Sequence, residues 1–262
     1  MSNNLPLAGK TILVTRSVGQ SSEFSDRLTS IGAIVIEMPA LEIGPPSNWQ
    51  CLDEAISNLS TFDWLILTST NGVEYFFQRL QKAGKNIEEF CNLKIAVVGE
   101  KTAQSLQLQN IKPDFIPPNF IADSLVEHFP ELLTGKKILF PRVETGGREV
   151  LVKELTAKGA EIIEVPAYQS CCPQNIPPQA EFALINDRID VITFASSKTV
   201  QFFHQLTANI FNKYPENLAK IAIASIGPQT SKTCHTVFGR VDIEAEEFTL
   251  EGLTNAIIKW AN

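Results

Sequence analysis

Short unbroken apolar runs alternate along this chain with stretches in which apolar residues recur every three or four positions. The runs are Thr11–Thr15, Ile34–Met38, Trp64–Thr68, Ile95–Val98, Lys137–Pro141, Ile162–Val165, Val191–Ala195 and Ile221–Ser225. They show no polar alternation, as expected of strands covered on both faces. Between them, Glu23–Ile31, Val73–Ala83, Thr102–Leu108, Glu149–Lys158 and Val200–Ile210 carry helical spacing. Strand–helix alternation of this kind predicts α/β architecture with parallel sheets, flavodoxin-like in construction.

The pattern occurs twice. Gly9–Arg16 (GKTILVTR) returns as Gly135–Arg142 (GKKILFPR), and Gly32-Ala33 with Pro39-Ala40-Leu41 returns as Gly159-Ala160 with Pro166-Ala167-Tyr168. The segments starting at Asp63 and Gly99 return at Asp190 and Gly227, so the offset stays at 126 to 128 residues over half the chain. An internal repeat of that length predicts two similarly folded lobes with a cleft between them, the usual place for small-molecule chemistry. Two Pro-rich stretches, Glu42–Trp49 and Ser170–Ala180, follow the second strand of each repeat. They read as joints, so one lobe is expected to be discontinuous (1–41 with 171–262) and the other inserted (42–170).

Composition narrows the function classes. A net charge of −7 argues against nucleic-acid binding, which needs a basic face. No apolar run approaches the roughly 20 residues that span a bilayer, and the first residues lack a secretory pattern, so the expected setting is the cytoplasm with no membrane partner. Five cysteines without CxxC spacing and three scattered histidines give no metal site. The hydroxyl-rich loop Ser17–Ser22 has no companion aromatic loop, so no flavin is expected.

In parallel α/β folds ligands meet the carboxyl ends of strands, where helix N-termini offer N–H groups. The residues at those ends are Arg16; Ser69, Thr70 and Asn71; Gly99 and Thr102; Arg142, Gly147 and Arg148; Ser196, Ser197 and Lys198; and Gly227 and Thr230. Hydroxyls, backbone amides and a few basic groups suit a ligand with several carboxylates. Each Ser or Thr taken singly could be only a helix cap, and Asn71 only a turn former. There is no catalytic triad, carboxylate pair, Walker loop or GxGxxG. Tyr168, read as lying at a strand end beside a joint, is the candidate proton donor beyond the hydroxyls.

Taken in order, LVTR, LTSTNGVEYFF, VVGEKTAQSL, LFPRVETGGREVLVKEL, VPAYQS, TFASSKTVQFF and IASIGPQTSKT resemble the uroporphyrinogen-III synthase family over nearly the whole chain. The resemblance implies two flavodoxin-like lobes joined by a two-stranded connection, and a monomeric, cofactor-free lyase of tetrapyrrole biosynthesis. It implies a reaction in which linear hydroxymethylbilane loses water, inverts ring D through a spiro intermediate and closes to uroporphyrinogen III. The bilane could arrive by transient hand-over from the upstream bilane synthase. Residues matching the family's site are Tyr168, assisting hydroxyl departure, with Thr102, Thr230, Ser69 and Ser196; Asn71 stands where some relatives carry a basic residue. The competing reading is a non-enzymatic two-lobed binder or sensor of a small polycarboxylate.

Overall fold

The structure is a computed structural model and describes residues 5–17, 22–86, 92–119, 122–146 and 149–262. The strands among them are β1 (Thr11–Val14), β2 (Ile34–Glu37), β3 (Glu42–Gly44), β4 (Trp64–Leu67), β5 (Lys94–Val97), β6 (Lys137–Val143), β7 (Glu161–Cys171), β8 (Val191–Phe194), β9 (Ala222–Ser225) and β10 (Ile243–Glu244). The helices are α1 (Ser22–Ser30), α2 (Gln50–Ser57), α3 (Thr70–Lys82), α4 (Glu100–Gln107), α5 (Ala122–Glu127), α6 (Glu149–Ala157), α7 (Pro178–Ile185), α8 (Ser197–Lys213), α9 (Pro215–Lys220), α10 (Pro228–Phe238) and α11 (Leu250–Ala261).

The chain divides into two compact units, Met1–Glu42 with Cys171–Asn262, and Ile43–Ser170. The first holds a sheet in the order β10-β9-β8-β1-β2, with every ladder parallel. Numbered along that unit, the order is 2-1-3-4-5, the flavodoxin-like arrangement. The second holds β3-β7-β6-β4-β5, parallel from β7 to β5, with an isolated parallel bridge from Ala96 to Phe115 beyond β5. Leaving β3 aside, the same five places are filled, but the chain enters at the third. Each sheet thus takes strands from both sequence repeats: β1 and β2 from the first join β8 to β10 from the second, while β4 and β5 from the first join β6 and β7.

The unbroken apolar runs follow from burial on both sheet faces. In β4, Leu65 and Leu67 enter one core and Trp64 and Ile66 the other. In β1, Leu13 points into one core, and Ile12 and Val14 into the opposite one. At the amino-terminal edges, four carboxylates at repeated positions fasten neighbouring strands. Asp190 Oδ2 accepts from the Thr11 amide at 2.7 Å, and Asp63 Oδ2 from that of Lys137 at 2.8 Å. Asp114 and Asp242 do the same for Ile95 and Ile223, at 2.7 and 2.8 Å. The repeat is therefore structural at this edge of the sheets.

The stretch at Glu42 begins with β3, a short strand beside β7, and the division between the two units falls there. One sequence expectation needs correction. The strand expected at Ile162–Val165 runs for 11 residues as β7, so Tyr168 lies inside a strand and not at its end. With β3 on one side and β6 on the other, β7 keeps pairing past Pro166, and a register shift at Arg142/Val143 sets Val143 opposite Tyr168.

Candidate functional site

At the carboxyl end of β4 the chain turns into α3 through Ser69. Extended backbone there (φ −155°, ψ 153°) lets Ser69 Oγ accept the Gly72 amide at 3.0 Å, as an N-cap does. The same oxygen lies 2.9 Å from Tyr168 Oη. Because Ser69 Oγ already accepts from Gly72, its own proton can go to the phenol oxygen. Tyr168 then keeps its O–H for a ligand. Thr70 and Asn71 form the first turn of α3, Thr70 exposed and Asn71 half-buried.

The Tyr168 ring is half-buried and set by its neighbours. It stacks on Tyr75 with centroids 6.1 Å apart, and Tyr75 stacks on Trp49 at 6.4 Å. The Arg79 guanidinium lies 4.6 Å from the Trp49 ring and grips Asp53 through two 2.5 Å contacts, which hold the Asp53 carboxyl below its ordinary range. Tyr75 Oη donates to the Ile43 carbonyl at 3.2 Å. Trp49 and Asp53 escape a reading of the sequence because α2, which carries Asp53 and follows Trp49, shows only a short apolar face (Leu52, Ala55, Ile56), while Tyr75 and Arg79 lie on the predicted helix α3 with nothing in the sequence to mark their partners.

The repeat supplies an internal control. Ser196 caps α8 with nearly the same backbone (φ −163°, ψ 156°), accepting the Thr199 amide at 3.2 Å. Leu41 stands where the second repeat has Tyr168, and Thr199 where the first repeat has Gly72. Around Ser196 the hydroxyl contact is to Thr199 Oγ1 at 3.3 Å. At residue 72 a Cβ would sit 3.1 Å from Ser69 Oγ and 3.9 Å from Tyr168 Cε1. Glycine at 72 thus leaves the space in which Tyr168 meets Ser69. The phenol belongs to one unit alone.

The remaining candidates differ in how far their polar groups are already engaged. Arg142 lies in β6 and binds the Glu164 carboxylate and the Gly146 carbonyl, with 15% of its side chain exposed. Its charge is balanced within its own unit. Gly147 and Arg148 lie outside the described residues. Arg16 is half-buried just past β1, and burial lowers its pKa. Ser197 Oγ donates to the Gln229 carbonyl at 3.1 Å, joining the loops that open α8 and α10, and Lys198 is half-buried beside it.

Gly99 and Gly227 start α4 and α10 from equivalent positions. Gly99 adopts φ 100°, which favours glycine, and the buried Thr102 donates to the Val98 carbonyl at 3.0 Å. At Gly227 the backbone is extended and the constraint is crowding: a Cβ would lie 2.7 Å from Phe248 Cδ1. Pro228 supplies no N–H, and the amides of Thr230 and Ser231 both donate to the Gly227 carbonyl at 3.0 and 2.9 Å. Thr230 is buried. Both threonines therefore help to shape their helix starts.

Two parallel sheets of flavodoxin-like order, each with capped helix starts at its carboxyl edge and one with a tyrosine–serine hydroxyl pair, define an α/β protein of duplicated construction equipped for polar, anion-tolerant ligand chemistry. The chain matches the family model described as uroporphyrinogen-III synthase HemD over residues 22–255. It is 55% identical over 257 residues to the uroporphyrinogen-III synthase of Synechococcus elongatus, covering 98% of this chain and 97% of that one. It matches a solved uroporphyrinogen-III synthetase of Helicobacter pylori with a TM-score of 0.60 at 18% identity, over 96% of this chain and 99% of that one. A mutant uroporphyrinogen III synthase of Thermus thermophilus matches at 0.53 and 15% identity, over 96% and 98%. The chain belongs to the uroporphyrinogen-III synthase family.

Proposed function

We propose that this protein converts hydroxymethylbilane to uroporphyrinogen III. Water leaves from the hydroxymethyl group on the terminal pyrrole, ring D is inverted through a spiro intermediate, and the macrocycle closes. No electrons are gained or lost overall and no group is carried away except water, so the chemistry calls for no cofactor. Ionisation of the hydroxymethyl pyrrole is easy because the ring nitrogen stabilises the cation. The protein's task is to protonate the departing hydroxyl and hold one reactive conformer long enough to direct attack.

The observation that carries the proposal is the 2.9 Å contact between Tyr168 Oη and Ser69 Oγ. In this reading Ser69 donates to the phenol oxygen, and Tyr168 donates its proton to the leaving hydroxyl. In the inserted unit Ser69 bears on substrate through Tyr168, and the proposed contacts to substrate carboxylates are Thr70, Asn71, the helix start at Gly99–Thr102, Arg142 and the Gly147-Arg148 segment. In the other unit they are Arg16, Ser196, Ser197, Lys198 and the helix start at Gly227–Thr230. Arg142 meets substrate only by exchanging Glu164 for a substrate carboxylate. The proposed domains are 1–41 with 171–262 and 42–170, which differ from the compact units by one residue.

The reading places the protein in the cytoplasm, receiving bilane directly from the enzyme that makes it. Among the described residues no helix is long and apolar enough to cross a membrane. The test is an isomer assay. Freshly generated hydroxymethylbilane is supplied, products are oxidised to porphyrins, and isomers I and III are resolved by chromatography. Predominant isomer III is expected. Isomer I alone, at the buffer-only rate and from folded protein, refutes the proposal.

A further inference from the structure

We infer that Phe248 is a substrate-contacting residue, its ring forming an aromatic seat for a pyrrole of the bilane; the inference rests on the activity proposed above. Phe248 is 65% exposed, and what sets it apart from other exposed apolar side chains is its place at the start of a helix on the carboxyl edge of the sheet. It lies at the carboxyl edge of its sheet, four residues past β10, and packs on Gly227, at the start of α10. The ring approaches Gly227 so closely that a Cβ there would fall 2.7 and 3.1 Å from two of its carbons.

The loop holding Phe248 is fixed on both sides. Thr249 caps α11 by accepting the Gly252 amide at 2.9 Å, and its own amide donates to the Glu247 carbonyl at 2.7 Å. Gly252 has no room for a Cβ against that carbonyl. The ring is therefore displayed by a rigid loop and not left loose at the surface. The neighbouring acid Glu246 pairs with Lys259 at 3.1 Å, so one nearby charge is balanced. An aromatic face held in place is suited to stacking or edge-to-face contact with an electron-rich pyrrole.

The repeat gives independent support. Phe248 follows Gly227 by 21 residues, and Phe120 follows Gly99 by the same 21. Core residues recur between repeats because packing requires them, as with Leu125 and Leu253. In the second repeat the aromatic packs one side on Gly227 and shows the rest of the ring to solvent, and a substrate with four pyrroles gives that open face something to meet.

The test compares Phe248→Ala, Phe248→Leu and Phe248→Tyr with the wild-type protein by steady-state kinetics on hydroxymethylbilane, scoring isomer III. Thermal melts run in parallel. For alanine, kcat/KM is expected to fall about 3- to 10-fold, mostly through KM, as loss of one aromatic contact predicts. Leucine covers Gly227 but has no π face, and is expected to behave like alanine; tyrosine is expected to restore most of the loss. Unchanged kcat/KM in the alanine variant, or leucine matching wild type, overturns the inference while leaving the activity intact. Wild-type protein that makes no isomer III would instead refute the activity itself.

Discussion

Replacing Tyr168 by phenylalanine removes one oxygen and leaves the surroundings in place. The ring keeps its stack on Tyr75, and β7 keeps its pairing with β6 at Val143. Ser69 still accepts the Gly72 amide, so α3 stays capped. What is lost from the fold is one neutral hydrogen bond, about 1 kcal/mol. For a chain of this size that lowers Tm by roughly 2–4 °C. The loss to catalysis is larger. Proton donation by a positioned side chain contributes about 10²–10⁴-fold. Because a hydroxymethyl pyrrole ionises readily without help, the lower end applies, about 100-fold or ~2.7 kcal/mol of transition-state stabilisation. The expected result is kcat reduced about 100-fold, KM within about threefold because binding does not rest on the phenol, and a larger share of isomer I as the unaided route competes. Kinetics with isomer analysis, alongside a thermal melt, make the measurement. A kcat within twofold of wild type from a protein with an unchanged melt refutes the role of Tyr168.

Other consequences of the geometry can be checked in the same way. Gly72→Thr places in the first repeat the residue found at the equivalent position of the second; it should press on Ser69 Oγ, break its contact with Tyr168 and lower kcat about tenfold, while Tm falls by less than about 4 °C because threonine, the better helix former by a few tenths of a kcal/mol, offsets part of the lost hydrogen bond. Asp190→Ala removes the acceptor of the Thr11 amide and should cost about 1–2 kcal/mol, read as a Tm lower by roughly 3–6 °C with kcat preserved; no shift would show that the contact is dispensable. Lys94, the Trp64 indole and Lys136 together pull the Glu131 pKa from 4.5 to about 2. A lowered carboxylate stabilises the fold in full above pH 4.5 and loses that contribution as pH falls toward 2, so melts at pH 7 and pH 3 should differ more for wild type than for Glu131→Gln. A fragment spanning Ile43–Ser170 contains a whole sheet and should unfold cooperatively in a chemical melt; a featureless melt would show that it depends on the rest of the chain.

The parallel α/β fold was legible because its central strands are buried on both faces. Trp64–Leu67 and Val191–Phe194 could hardly be read as anything else. The strands that escaped are β3 and β10, three and two residues long at sheet edges, half-exposed and carrying Glu42 and Glu244. The length of β7 was hidden by Pro166 and by the polar Gln169-Ser170, which read as a joint. Helix α11 did have a signal, with Thr249 as cap and Leu250, Leu253 and Ile257 on one face, that periodicity could have found. At the candidate site, the repeated strand-end hydroxyls of Ser69 and Ser196 were legible as helix starts. The partnership of Ser69 with Tyr168 was not legible, because 99 residues separate them and only strand order brings them together. Nor could sequence distinguish Arg142, held by Glu164, from a basic group poised for a ligand.

The exchange of strands between the two repeats bears on the order in which the chain can fold. Each sheet draws on both repeats, so β1 and β2 complete their sheet only with β8 to β10, more than 150 residues further along, while Ile43–Ser170 holds all its own strands. Contacts so distant in sequence carry a larger loop-closure cost, so the sheet of the inserted unit is expected to form first. The two repeats have also diverged, one holding a tyrosine and a glycine where its sibling has a leucine and a threonine.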